Sequence, residues 1–186
     1  LIISEIYLFL FRTHVTLNLT FQHILTRINF AVKLVDSSYT YTVESITVTG
    51  AKGGTATYTF GGTEGKGGNW NITGSAPASG YSYTFDNTVT AKDGIYDYTQ
   101  NDNSLMLYPQ SLTDAKIIVK YKTEKDNATF FNDSKEVSLT GEWTNGQSIR
   151  YILTLPVGAE EMSVNTTYDE NWDATDNEQT PKNPAS

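Results

Sequence analysis

Apolar side chains in this chain recur at every second position in short runs, and no stretch sustains the three-to-four spacing of a helix. Val15, Leu17, Leu19, Phe21 and His23 share one parity, as a strand with one buried face requires. At Ile28, Phe30, Val32 and Leu34 the parity has flipped, which predicts a β-bulge or a short helical turn within "HILTR", near residues 23–27. "YTYTVESITVTG", "TATYTF", "YSYTFDNTVT", "LMLYPQ", "KIIVKY", "EVSLTGEW" and "RYILTL" follow, each bounded by Gly, Asn, Asp, Pro or Ser. The abundant Thr, Tyr, Val and Ile suit a pleated, half-buried surface. Many short strands without intervening helices point to an all-β fold, an antiparallel β-sandwich or barrel. In "WTNGQSIRYILTL", Asn145-Gly146 precedes an alternating run (Ile149, Tyr151, Leu153, Leu155), a strong hairpin signal because both residues tolerate positive φ. Phe21, Ile28, Phe30, Trp143, Tyr151 and Leu153 are expected to be buried together between two sheets.

Little in the chain suggests reactive chemistry. Its net charge of -8 argues against nucleic acid, which is bound by clustered Lys and Arg. Without cysteine there is no disulfide, thiolate metal site or Cys nucleophile. "GGTEGKGG" (61–68) lacks the spacing and the following helix of a phosphate loop, and reads as a hairpin loop. "DENWDATDNE" (169–178) sets Asp169, Asn171 and Asp173 at the first spacings of a calcium loop. Ala174 stands where that loop needs Gly, and Thr180 where it needs a bidentate Glu, so a solvated acidic tail is the default reading. "DYTQNDNS" (97–104) reads as a polar loop. The two histidines are too few for a metal site without carboxylate help, and His23, on an apolar face, reads as a hydrogen-bonded core residue. The serines fall in loops with no GxSxG elbow. Trp70, Trp143 and Trp172 read as core aromatics ahead of sugar-stacking platforms. No catalytic residue, cofactor or metal is expected.

The ends differ from the middle. The chain begins at Leu1 rather than Met, as a fragment or processed form would. "LIISEIYLFLF" is about half the length of a membrane-spanning helix and lacks the basic start and cleavage site of a signal peptide. Residues 1–14 are therefore expected to be a remnant of a preceding segment or a linker, and 15–173 the domain. Residues 174–186, acidic and Pro-containing, are expected to be disordered.

Several segments, in order, resemble the fimbrillin-like pilus proteins of Bacteroidetes. "LTFQHILTRINFAVKL" is similar to that family's F-x-H-x-L-x-R-I segment, and "VESITVTGAKGGTATYTF" to its second sheet segment. "LMLYPQSLTDAKIIVKY" is similar to its L-x-L-x-P-Q strand, which includes Pro109, and the strand after it. "EWTNGQSIRYILTL" resembles its W-x-x-G-x-x-Y-x-Y-x-L-x-L hairpin, with Trp143, Gly146, Tyr151 and Leu153 in place. Ile149 stands where the family often has an aromatic, and Trp172 fits the family's final Trp. The resemblance implies a transthyretin-like, Greek-key sandwich in which these residues form a packing framework. It also implies a C-terminal domain of a longer lipoprotein precursor, with a signal peptide, lipobox cysteine and N-terminal domain upstream. Its implied role is a non-enzymatic subunit of a surface fimbrium, exported to the outer membrane, whose partners are other pilus subunits joined by strand addition.

Two further classes of function were weighed. A surface carbohydrate-binding module would use Tyr39, Tyr41, Tyr81, Tyr83, Tyr96, Tyr98 and Trp70 against host or microbial glycans, yet Tyr39/Tyr41 and Tyr81/Tyr83 alternate within strands, where one face is normally core. A surface hydrolase would need converging carboxylates that the sequence does not suggest. Within a pilus, the stretch after Met162, Val164, Tyr168 and Trp172 reads "DATDNEQTPKNPAS", and Pro181 and Pro184 remove ladder donors. That makes a poor donor strand and favours an anchor, accessory or tip subunit over a stalk pilin.

Overall fold

The structure, a computed structural model, describes residues 2–3, 22–61, 68–89, 94–99 and 103–169. Thirteen strands are formed among them. A first sheet has the order β11-β10-β4-β7, all antiparallel: β4 is Thr40–Thr49, β7 Tyr81–Val89, β10 Lys116–Lys125 and β11 Ala128–Ser138. A second sheet has the order β13-β12-β3-β8, where β3 is Thr26–Leu34, β8 Ile95–Asp97, β12 Ser148–Leu155 and β13 Ser163–Tyr168. Strand β9 (Leu105–Leu107) pairs with β3 beyond β8, so two short strands share one edge. Two small ribbons lie outside these sheets: β1 (Ile2–Ile3) with β2 (Gln22–His23), and β5 (Ala56–Thr59) with β6 (Asn69–Ile72).

The period of two determines which side chains meet between the sheets. Ile28, Phe30 and Val32 from β3 and Ile149, Tyr151, Leu153 and Leu155 from β12 form one inner face. Tyr41, Val43, Ile46 and Val48 from β4 and Ile117, Val119 and Tyr121 from β10 form the other. Rings cross the interface, as where Phe30 meets Tyr83 edge-on at 6.1 Å between centroids. The Tyr121 hydroxyl donates to Pro156 O across the sheets at 2.9 Å. Tyr41 and Tyr121 stack with an interplanar angle of 12°. Outer faces carry the polar parity, with cross-strand pairs such as Lys120–Glu44 and Lys116–Glu136.

Three local readings are corrected. Between β2 and β3 the chain makes a bend at Leu25, with neither helical turn nor bulge, and Ile24, Thr26, Ile28 and Phe30 are already buried on one parity. The bulge lies in β4, where pairing with both neighbours shifts around Glu44 and the buried parity passes from Val43 to Ile46. One extra residue is what moves a strand's apolar set back to its core face.

Asn145-Gly146 forms a turn but no hairpin. Gln147 N–H donates to Thr144 O at 3.3 Å, and only Gly146 has positive φ (68°), as a type II turn requires. The strand that follows, β12, pairs parallel with β3, in register from Ser148↔Arg27 to Leu155↔Leu34, so the second sheet is mixed where an antiparallel one was expected. The two-residue hairpin of the primed type is at Asp126-Asn127, with φ of 52° and 63°, between β10 and β11.

Candidate assembly surface

Trp143 reaches β12 from the loop before it and holds the second sheet's end together. Its Nε1–H donates to the Tyr151 hydroxyl at 2.9 Å inside the core, and its backbone N–H donates to Gln110 O at 2.9 Å. Burial pushes the Tyr151 phenol up, and the Trp143 hydrogen bond partly opposes that shift. Gln110 in turn imitates a strand backbone. Its Oε1 accepts from Lys52 N–H at 2.7 Å, while Nε2 donates to Lys52 O and Tyr108 O, both at 3.1 Å. The loop after β4 is thus bound to the loop before β12 through one amide side chain. Asn145 extends the tie by donating Nδ2–H to Gly68 O at 2.7 Å.

Of the residues expected in the packing framework, Ile28, Phe30 and Leu153 are fully buried, with Trp143 at 2% and Tyr151 at 4% exposure. Pro109 and Gly146 are half-buried beside the core, at the strand end and the turn. His23 departs from expectation: it is half-buried in β2, opposite Ile2, and lies outside the core cluster. It stands on the parity opposite to the buried Ile24, Thr26, Ile28 and Phe30. Phe21 and Trp172 lie outside the described residues, as do most of residues 1–14, the tail 174–186 and most of the acidic 169–178 stretch. Gln110 was missed, although its place after Pro109 at a strand end was a signal for a side chain facing loop backbone.

The candidate sugar platform does not assemble as a row of open rings. Tyr41 is buried, and Tyr39, Tyr81, Tyr83, Tyr96 and Tyr98 are half-buried, with Phe85 meeting Tyr98 at 4.9 Å. Burial raises the Tyr98 phenol to about 12. Trp70 donates Nε1–H to Ile24 O at 2.7 Å and packs on Tyr58 and Tyr108, fastening the β5–β6 ribbon to the sandwich. Among the described residues there is no group of acidic or histidine side chains placed to hold a metal, and no helix long and apolar enough to cross a membrane.

What the geometry does present is strand edges. On β13 the core-side positions are Val164, Thr166 and Tyr168, opposite Leu153, Tyr151 and Ile149, and none is charged. Beside this edge a cleft of about 150 Å³ opens between the sheets, lined by Leu112, Leu139, Trp143, Ile149, Tyr151, Val164 and Tyr168 and rimmed by Ser138, Thr140, Glu142 and Thr166. Tyr168 is 60% exposed. The strand's end is fixed by Arg27, whose Nη2–H donates to Asp169 Oδ2 at 2.8 Å while Nε–H donates to Ser148 Oγ at 2.9 Å.

Together these elements form a two-sheet β-sandwich with a small edge cleft beside β13 and a core framed by Trp143, Gln110 and Tyr151. The match to the fimbrillin-like family model extends over residues 11–172, and the chain belongs to that family of structural, non-enzymatic proteins. Among solved structures it is similar to a fimbrial protein from Bacteroides vulgatus, with a TM-score of 0.57, 16% identity, and coverage of 81% of this chain and 55% of that one. A candidate cell adhesion protein from Bacteroides uniformis aligns at a TM-score of 0.40 and 10% identity, over 83% of this chain and 53% of that one. The chain thus spans about half the length of these solved structures. Comparison with curated protein sequences finds no match.

Proposed function

We propose that this chain is a structural subunit of a bacterial surface fimbrium, associated with the outer membrane, and that neighbouring subunits join it by strand addition along β13. The observation that carries this reading is the cleft beside that strand. Strand addition needs unpaired backbone groups for affinity and pockets at alternate positions for side chains. Among the described residues no strand pairs with the outer side of β13, which supports the first, and the Leu112–Leu139–Trp143–Val164 cleft supports the second, next to core-side positions without charge. The occupant is an extended segment of another pilus subunit with apolar residues at alternate positions. No described observation favours a glycan ligand.

Within the fimbrium, an anchor, accessory or tip position is favoured over the repeating stalk. The sequence after residue 173 offers no apolar alternation, and Pro181 and Pro184 remove donors from any ladder formed there. Two variants test these statements separately. Thr166 is exposed, so Thr166→Lys leaves the core intact while placing a charge on the core side of the edge. It is expected to abolish incorporation into sheared fibres while surface delivery of the folded subunit persists; normal incorporation would refute the edge assignment. Deleting residues 174–186 is expected to leave fibre length unchanged. Collapse of fibre length, with the truncated subunit folded and on the surface, would restore the stalk role.

A further inference from the structure

The longest edge of the molecule is β11, eleven residues whose outer side has no neighbouring strand among the described residues. A long open edge is a template for pairing with a second copy, and natural sheets block such edges with bulges and with charges directed inward. Strand β11 has both. Its register with β10 sets Phe131, Asp133, Lys135 and Val137 opposite Thr123, Tyr121, Val119 and Ile117, four residues that are fully buried. The core-side face of the edge strand therefore carries an acid and a lysine. Lys135 Nζ lies 5.0 Å from the centre of the Phe131 ring and donates to Ala159 O at 2.9 Å, in the loop between β12 and β13. The ammonium group is held across the mouth between the two sheets. Further along, Phe130 is the extra residue of a bulge, since Thr123 pairs with Phe131 and Glu124 with Thr129. It stands 55% exposed and packs edge-on against Tyr39.

The other edges differ. The core-side residues of β13 are uncharged, and those described on β7 are Tyr81, Tyr83 and Phe85, opposite Val48, Ile46 and the bulged turn of β4. Strands β8 and β9 are three residues each and present Tyr96, Leu105 and Leu107 toward the core. Among the described residues, charge on the core side of an edge occurs on β11 alone.

We propose that Lys135 is a specificity-determining residue that closes β11 to a second copy of this chain. A copy pairing antiparallel along β11 extends both first sheets past their own second sheets. The continuous inner face then lies over Lys135 and Asp133 of both copies, and burying those charges opposes the backbone hydrogen bonds gained. With the ammonium removed, Asp133 is the one charge left on that face beside Phe131 and Val137, and the longest edge among the described residues becomes more open to self-pairing.

The test uses the whole chain and needs no pilus, so it stands or falls separately from the β13 assignment. Wild type, Lys135→Arg, Lys135→Met and Lys135→Val are compared by light scattering coupled to gel filtration, across a hundredfold range of concentration. Wild type and Lys135→Arg are expected to stay monomeric. Lys135→Met and Lys135→Val are expected to lower by at least tenfold the concentration at which half the protein is dimeric, with new hydrogen-exchange protection confined to residues 128–138. Folded Lys135→Met that stays monomeric throughout would overturn the proposal. So would a wild type already dimeric through β11, or association whose new protection falls on another edge.

Discussion

Removing both partners of the Trp143–Tyr151 hydrogen bond should cost less than the two single removals added together. Trp143 is 2% exposed, and its indole N–H donates to the Tyr151 hydroxyl at 2.9 Å. Truncation by Trp143→Ala removes a buried aromatic and is expected to cost about 3–5 kcal/mol. Trp143→Phe keeps most of the ring and isolates the bond. It loses the net worth of a buried hydrogen bond, about 0.5–1.5 kcal/mol, and orphans the tyrosine hydroxyl, which adds about 1–3 kcal/mol when fully desolvated. Both residues line the cleft beside β13, where water can approach, so the lower half of that range applies. Tyr151→Phe similarly orphans the indole N–H. In the double variant neither group is left without a partner, so its cost should fall short of the two single costs added by one net bond and two orphaning penalties, about 2–3 kcal/mol at the low end of those ranges. Urea unfolding of the four proteins measures this directly, with melting temperature moving roughly 2–4 °C per kcal/mol in a chain of this size. Additivity within about 0.3 kcal/mol would show that the bond contributes nothing beyond packing, and the framework role given to this pair would fail.

Gln110→Leu should destabilise by about 0.5–1.5 kcal/mol, because two exposed loop backbone groups at Lys52 exchange the amide side chain for water; an unchanged urea midpoint would contradict the clamp. At the β10–β11 turn, Asn127→Val should cost about 1–2 kcal/mol, while Asn127→Gly should be neutral or stabilising, since φ is 63° there; equal stabilities would refute the primed-turn assignment. Alkali gives a further test. Burial lifts the phenol of Tyr98 to about 12 and those of Tyr41, Tyr121 and Tyr151 above their ordinary value. Unfolded tyrosines ionise near pH ~10, so above that point the folded state holds protons that the unfolded state has released. Stability should be level below pH ~10 and fall from there through about 12, with part of the phenolate absorbance appearing only on unfolding. A stability that stays constant across that window would refute the assignment.

The parts of the fold legible in sequence are those where burial acts on one face of a long strand. In β3, β10 and β12 the alternation of Ile28/Phe30/Val32, Ile117/Val119/Tyr121 and Ile149/Tyr151/Leu153 is the core itself. Strands β6 and β8 were not legible: "NWNI" and "IYD" are short and carry single aromatics among polar neighbours. The first half of β11 was hidden because Asp133 and Lys135 occupy positions where alternation predicts apolar residues. Asn145-Gly146 reads as the hairpin turn and Asp126-Asn127 gives no such signal, for a shared reason. The hairpin signal gives weight to glycine, but pairing needs positive φ at both central positions, which Asp126 and Asn127 adopt and Asn145 does not. The parallel pairing of β3 with β12 leaves no local trace, since each strand alone reads the same for either direction of its neighbour.

The motifs and the surface proposed for assembly share only part of their residues. Trp143, Gly146, Tyr151 and the Pro109-Gln110 step join the loops after β4 and before β12, and any subunit of this architecture needs that junction whatever it binds. The cleft beside β13 is lined on its inner side by members of the same framework, Trp143 and Tyr151, so its floor is set by the fold. Its outer side is formed by Val164, Thr166 and Tyr168, which belong to no motif, and the opposing edge is marked by Asp133 and Lys135, which belong to none either. Two edges on one scaffold therefore differ at a few core-side positions: apolar and hydroxyl groups on β13, where a partner strand is proposed to add, and an acid and a lysine on β11, where one is proposed to be refused. If both proposals hold, moving a charge from β11 to β13 should exchange those roles.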